Sequence, residues 1–367
     1  MVEYKETTME QETSIFTEIN KLGHEQVVFC HDEATGLKAI IAVHNTTLGP
    51  ALGGTRMWHY TSDADAITDV LRLSRGMTFK AAVSGLNLGG GKAVIIGDAK
   101  TQKSEAFLRR FGKFVDSLNG KYITAEDVNM KTRDMEYVAM ETKHVTGLPE
   151  YRGGGGDPSP VTAYGTYVGM KAAAKKAYGN DSLSGKKIGV QGVGQVGGYL
   201  VEKLAQEGAE IFITDINEER LEQIGKEHNA RVVGMDEIYD LDLDIYAPCA
   251  LGATLNDNTI PRLKCQVVAG AANNQLKDEL THGRMLIERG IVYAPDFVIN
   301  AGGLINVYAE HLGAYKRELA YQQAENIYYT TLEILDRARH DGVTPQEAAM
   351  SYAQKRIDEI GKLKQTL

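Results

Sequence analysis

Cysteine is scarce in this chain of 367 residues: Cys30, Cys249 and Cys265 stand far apart, with no Cys-x-x-Cys pair. Such spacing excludes a disulfide scaffold and a cysteine-rich metal site. Long apolar runs are missing too, none approaching the ~18 residues of a spanning helix. Residues 1–10 (Met-Val-Glu-Tyr-Lys-Glu-Thr-Thr-Met-Glu) are polar and acidic, without the apolar core of a signal peptide. Nor is there a basic excess: 40 Lys and Arg face 49 Asp and Glu, a net charge of −9. A general nucleic-acid binder would show a basic patch or stripe. The expectation is a cytoplasmic protein with no metal ion, no membrane and no nucleic acid as partner.

What remains is an ordinary globular composition, 43% hydrophobic and 24% charged, long enough for two domains at ~150 residues each. Glycine is the unusual number. There are 39, clustered within 89–91, 153–156, 192–198 and 302–303, where backbone held close to a ligand is one explanation.

The periodicity predicts a mixed α/β first part: a helix ending at Gly23, strands over 26–31 and 37–44, and a helix over 64–78. A short strand over 93–96, a helix over 105–118 capped by Ser104, a strand over 121–124 and a helix over 132–144 follow. Four glycines and two prolines within 151–160 interrupt any regular element. Strand–helix alternation begins beyond them: a helix over 161–178, a strand over 187–191, a helix over 196–207, then strands over 210–214, 244–247, 266–269 and 291–293. Such alternation favours a parallel sheet covered on both faces. The expected fold class is α/β. A substrate-binding, catalytic and oligomerisation domain would span 1–150, a Rossmann-type doubly wound domain 151–340, with the cleft between them. A helical segment over 341–367 would pack back on the first domain.

Gly192-Val-Gly194-Gln-Val-Gly197 directly follows a strand and opens a helix, and the next strand ends at Asp215, 23 residues beyond Gly192. This is the dinucleotide-binding arrangement, with the carboxylate near its expected ~20-residue distance. Gly192 allows the tight turn, Gly194 the approach of a pyrophosphate and Gly197 close helix–strand packing. The phosphates would rest on N–H groups of the turn formed with Val193, Gln195 and Val196. Asp215 would accept from the ribose 2′-hydroxyl and repel a 2′-phosphate, favouring NAD over NADP. A glycine-rich corner binding nothing is the bland alternative.

The segment 82–92 ends in Gly89-Gly-Gly-Lys92 and fails as a phosphate-binding P-loop. Leu86 stands where glycine is due, Ala93 where Ser or Thr is due, and a strand follows instead of a helix. A lysine behind three glycines can stabilise an oxyanion or move a proton, or it can be a surface residue at a strand start. Lys80 reads as a cation complementing a helix C-terminus, and Asp127 as a cleft carboxylate or a helix cap.

Together the segments resemble the Glu/Leu/Phe/Val amino-acid dehydrogenases, most closely their leucine-acting members, over nearly the whole chain. The likeness rests on Gly49-Pro-Ala-Leu-Gly-Gly-Thr-Arg-Met57, Arg75-Gly-Met-Thr-Phe-Lys80, Leu88-Gly-Gly-Gly-Lys92 and Ile123-Thr-Ala-Glu-Asp127, with 157–165, 190–194, 244–253, 269–275 and 298–307. The resemblance implies that Lys80 binds the substrate α-carboxylate, helped by backbone groups of Gly53 and Gly54. Lys92 would activate water and steady the carbinolamine, and Asp127 would shuttle protons of the amino group. Thr162, Asn273 and Asn300 would line the cofactor and the cleft. The implied reaction is reversible: L-amino acid, NAD and water give 2-oxo acid, ammonium and NADH. A homo-oligomer is implied, typically an octamer.

By the same resemblance the side-chain pocket is Leu52, Ala125, Leu304 and Val307. Glutamate enzymes similar to this chain carry lysine where Leu52 stands. A γ-carboxylate against Leu52 would lie buried and unpaired at a cost of roughly several kcal/mol, so a branched-chain substrate, leucine preferred, is expected. Aromatic-preferring relatives often have glycine at Ala125, and phenylalanine or tryptophan is the alternative. A methylene decides only ~1–3 kcal/mol. A 2-hydroxy-acid dehydrogenase would need a singled-out histidine, and none of the nine stands apart. A non-catalytic NAD-binding sensor would leave Lys80, Lys92 and Asp127 without employment.

Overall fold

The computed structural model describes residues 15–313 and 315–364; the polar segment 1–10 and the last three residues lie outside the described residues. The first sheet comprises β1 (Gln26–Asp32), β2 (Leu37–Asn45), β3 (Ala51–Trp58), β4 (Gly89–Ile96) and β5 (Tyr122–Glu126). Their order is β1-β2-β4-β3-β5, with β3 parallel to both β4 and β5 and the β1–β2 and β2–β4 pairs antiparallel. Helices α1 (Ile15–Leu22), α2 (Asp63–Val83), α3 (Glu105–Asp116) and α4 (Thr132–Val138) accompany it. Strand β2 shows why its run is continuously apolar. Ala39, Ile41 and Val43 pack with Phe107 and Phe111 of α3, while Ile40 and Ala42 pack with Ala66, Val70 and Leu71 of α2, because alternate side chains leave opposite faces.

Three sequence expectations change here. The glycines at 89–91 are not a loop but the start of β4. A Cβ on Gly89 would lie 2.0 Å from the Asn45 carbonyl oxygen, and one on Gly90 2.1 Å from the Thr78 nitrogen. Missing side chains therefore let α2 and β2 close directly on this strand. Helix α2 runs on to Val83, past the expected end at 78, and so carries Lys80 in its last turn. Helix α4 stops at Val138 instead of 144. Beyond it, the Thr124 N–H donates to the His144 carbonyl (3.0 Å) and the Thr146 N–H to that of Thr124 (2.8 Å); pairing with the edge of β5 wins over local helix propensity.

The second sheet is wholly parallel: β6 (Lys187–Gln191), β7 (Glu210–Thr214), β8 (Arg231–Val232), β9 (Ile245–Pro248), β10 (Val267–Val268) and β11 (Val292–Tyr293), in the order β11-β10-β9-β6-β7-β8. This is the doubly wound order of dinucleotide-binding domains, whose crevice opens where the winding reverses, between β6 and β9. Its helices are α5 (Ser159–Tyr178), α6 (Gln195–Glu207), α7 (Glu218–His228), α8 (Glu279–Glu288), α9 (Asp296–Ile299) and α10 (Gly302–His311). The sequence patterns leave out β8, two residues long, and helices α7, α8, α9 and α10. Three more helices close the chain: α11 (Arg317–Ala324), α12 (Asn326–Asp341) and α13 (Pro345–Lys364). Helix α13 packs on α2, where Arg356 donates to the carbonyls of Leu86 (2.7 Å) and Gly85 (3.2 Å) and to Asn87 Oδ1 (3.0 Å). No helix among the described residues is long and apolar enough to cross a membrane, and none of their His, Cys, Asp or Glu side chains group to hold a metal.

Candidate active site

Pairing across the first sheet sets Leu52 opposite Gly90 and Ile123, and Gly54 opposite Ala125. Residues paired this way share a face, so Leu52, Gly54, Ala125 and Lys92, two residues beyond Gly90, all face α2. Lys92 is only 5% exposed. An unpaired ammonium at that depth would be costly, and its Nζ lies 3.0 Å from Asp127 Oδ2. Arg56 Nε reaches the same oxygen at 3.1 Å, while its Nη1 reaches Asp69 Oδ2 at 3.1 Å, where the Tyr60 hydroxyl also donates at 2.6 Å. Burial pushes the Asp127 carboxyl up, but the Lys92 and Arg56 charges outweigh it and hold the group below the usual carboxylate range. Asp127 is thus a carboxylate at neutral pH, held next to a buried ammonium. Arg56, Asp69 and Tyr60 escape the sequence reading. Arg56 is two steps beyond Gly54 and shares its face, a signal visible only once 51–58 is recognised as a strand.

Gly53 and Gly54 act here through their missing side chains. A Cβ on Gly53 would sit 1.7 Å from the Gly91 carbonyl oxygen, and one on Gly54 2.8 Å from Asp127 Cβ. The Gly53 carbonyl accepts from the Tyr122 hydroxyl at 2.6 Å. Gly302 and Gly303 likewise serve close packing, since a Cβ would meet the Val161 carbonyl oxygen at 2.0 Å or Thr162 Oγ1 at 2.7 Å. These clusters are therefore explained by backbone and side chains packing closely, without invoking a ligand.

Lys80 crosses to the other half of the molecule. Its ammonium donates to Asn273 Oδ1 at 3.0 Å, and Asn300 Nδ2 donates to the same oxygen at 2.8 Å and to the Ala271 carbonyl at 3.0 Å. Burial pulls Lys80 down to about 8, opposed by the Asp296 carboxylate and helped by the Lys92 charge. Asp296 is a further residue the sequence reading passed over. It is buried, which raises its carboxyl, and its Oδ2 accepts from the Gln275 N–H at 2.8 Å. Leu52, Ile123, Leu304 and Val307 join one buried apolar cluster spanning both halves, and Ala125 is buried beside Gly54.

The residues at the crevice of the second sheet fit a dinucleotide. Gly192 has φ +98°, and a Cβ there would lie 2.6 Å from Ala250 Cβ; one on Gly197 would lie 2.0 Å from the Gly192 carbonyl oxygen. Beside Gly194 there is open space, and as N-cap of α6 it offers no side chain to the helix-terminal N–H groups, which stay available to an anion. The Val193 N–H donates to Asp215 Oδ2 at 2.7 Å and the Asn217 N–H to Asp215 Oδ1 at 2.9 Å. Gln195 is exposed, Val196 half-buried. Thr162, in the first turn of α5, donates to the Pro158 carbonyl at 2.9 Å. Asn300 Oδ1 is buried without a partner, an acceptor that a donor from a ligand would satisfy. Cys249 Sγ accepts from the Ala271 N–H at 3.4 Å, and burial pushes its thiol up to about 12.

Comparison with known proteins agrees with this geometry. The model of the Glu/Leu/Phe/Val dehydrogenase dimerisation domain matches residues 24–144, and that of the Glutamate/Leucine/Phenylalanine/Valine dehydrogenases matches 153–363. A leucine dehydrogenase of Thermoactinomyces intermedius is 55% identical over 96% of either chain. An L-tryptophan dehydrogenase of Nostoc punctiforme is 47% identical over 95% of this chain and 98% of its own. A crystal structure of L-tryptophan dehydrogenase from Nostoc punctiforme superposes with a TM-score of 0.83 at 46% identity, covering 95% of this chain and 99% of that one.

Proposed function

Because the chain belongs to the Glu/Leu/Phe/Val dehydrogenase family, we propose that it reversibly deaminates a branched-chain L-amino acid, leucine first, with NAD. It is an amino-acid dehydrogenase; the particular substrate and the choice of NAD are the proposal. Amino acid, NAD and water give 2-oxo acid, ammonium, NADH and a proton. The bound dinucleotide would supply the hydride acceptor, while the protein orients and moves protons. Lys80 would exchange its Asn273 partner for the substrate α-carboxylate. Asp127 would take a proton from the substrate nitrogen. Lys92, having released its own proton to solvent, would take one from the attacking water and as ammonium steady the carbinolamine oxygen, while Asp127 returns its proton to the departing nitrogen. Backbone groups of Gly53 and Gly54 would help hold the carboxylate, and Thr162, Asn273 and Asn300 would line the cofactor and the cleft. Gln195 and Val196 would cradle the phosphates at the turn shaped by Gly192, Gly194 and Gly197, while the Val193 N–H, already held by Asp215, fixes that turn. The matched dimerisation domain supports a homo-oligomer, and an octamer is the proposed size.

The observation that carries the substrate is Leu52, 1% exposed and clustered with Leu304 and Val307. That wall welcomes an aliphatic side chain and strands a γ-carboxylate. The test is NADH formation from NAD with L-leucine, L-valine, L-phenylalanine, L-tryptophan and L-glutamate. A lead by leucine supports the proposal. A lead by an aromatic amino acid keeps the chemistry and overturns the reading of Ala125; silence with NAD still bound favours a sensor.

Lys80 supplies a pH prediction. A group lowered to about 8 carries its charge below that pH and loses it above. Binding of 4-methylpentanoate, a carboxylate that cannot react, should weaken roughly tenfold per pH unit above about 8. Titration calorimetry at several pH values reads this directly. A flat profile would remove Lys80 from carboxylate binding.

A further inference from the structure

The chain leaves the first sheet through residues 144–158 before entering α5, and one carboxylate from the other half grips this crossing. Glu310, in the last turn of α10, accepts from the N–H of Gly147 (3.1 Å) and of Gly155 (2.9 Å) at Oε2, and from that of Leu148 (3.1 Å) at Oε1. Hydrogen bonds from backbone N–H groups to a charged carboxylate are the stronger kind. The two arms they gather already touch: a Cβ on Gly154 would lie 1.9 Å from the Leu148 carbonyl oxygen. One turn earlier on the same helix, Asn306 accepts the Tyr315 hydroxyl at 2.6 Å, and a Cβ on Gly155 would sit 2.7 Å from its Nδ2. Earlier on α10 stand Leu304 and Val307, in the apolar cluster with Leu52.

We infer that Glu310 is a positioning residue: it fixes α10 to the crossing segment and so sets where Leu304 and Val307 stand against Leu52 of the first sheet. The inference rests on the reading of those residues as the substrate side-chain pocket. Helix α10 acts as a short rigid rod, the rise from Leu304 to Glu310 being about 9 Å. A shift at its gripped end is therefore felt at its pocket end. The cofactor turn at Gly192–Gly197 lies wholly within the second sheet's half and does not depend on the grip.

The experiment compares wild type with Glu310→Ala and Glu310→Gln. Hydrogen exchange at the Gly147, Leu148 and Gly155 amides should quicken at least ~tenfold in Glu310→Ala, and less in Glu310→Gln, which keeps one acceptor oxygen. The kcat/KM for L-leucine should fall ~10- to 100-fold, as a misplacement of about 1 Å can cost. The Kd for NAD should stay within about twofold. Unchanged amide exchange, or quickened exchange with normal leucine kinetics, would overturn the inference; so would an equal loss of NAD affinity, the mark of a merely structural role. Should Glu310→Ala not fold, Glu310→Gln carries the same comparison. If wild type turns over no amino acid, the proposed reaction falls by itself. The grip is then judged by exchange at the Leu304–Val307 amides, which must quicken together with those of the crossing segment.

Discussion

Replacing Lys92 by alanine is expected to lower kcat for leucine oxidation by ~10³-fold or more while NAD still binds. General acid–base action and oxyanion stabilisation are each worth roughly 10²- to 10³-fold or more, and Lys92 is the single buried ammonium proposed for both. The geometry keeps the variant interpretable. Asp127, robbed of Lys92, still has the Arg56 guanidinium at 3.1 Å, so its charge stays compensated and the strand beneath it need not rearrange. The turn proposed to hold the cofactor lies on another sheet, which makes NAD binding a control the substitution should leave alone. Near-normal turnover in Lys92→Ala would remove this residue from the mechanism. Steady-state kinetics with NAD affinity measured separately by fluorescence decides the matter.

The second large effect concerns cofactor choice. Wild-type kcat/KM should favour NAD over NADP by ~100-fold or more, since like charges forced together cost several kcal/mol. Asp215 already accepts from the Val193 and Asn217 N–H groups, so its carboxylate is fixed in place at the end of β7 and cannot swing from a 2′-phosphate. Asp215→Ala should shrink the preference to within about tenfold, chiefly by losing activity with NAD, because the Val193 amide loses its anchor as well. Equal kcat/KM for the two cofactors in the wild type would refute the role given to Asp215.

How much of this was legible in the chain depends on how local the cause is. The turn at Gly192, the helix that follows and the carboxylate at Asp215 lie within a few tens of residues, and their spacing is imposed by one strand–turn–helix–strand unit. The parallel sheet follows from alternating short apolar runs and helices. Lys92 stands out by the three glycines before it, whereas the roles of Leu52, Lys80 and Asp127 come from resemblance; local pattern alone leaves Lys80 as a helix-end cation and Asp127 as a cleft carboxylate or a cap. Helix α4 was overextended because nothing local announces that 144–146 will pair with β5.

The sequence by itself determined the α/β class, the glycine turn between β6 and α6 and the chemical types available for a site, because these rest on periodicity and short-range spacing. Only the tertiary structure decided that Arg56 and Asp69 join Lys92 and Asp127 in one charged network. It alone showed that the glycines of 89–91 make room for α2 and β2, and that Glu310 reaches 155 residues back in the chain to Gly155. The physical reason is the same in each case. Burying a charge or closing two backbones together requires a partner from far along the chain, and that partner is chosen by how strands and helices pack.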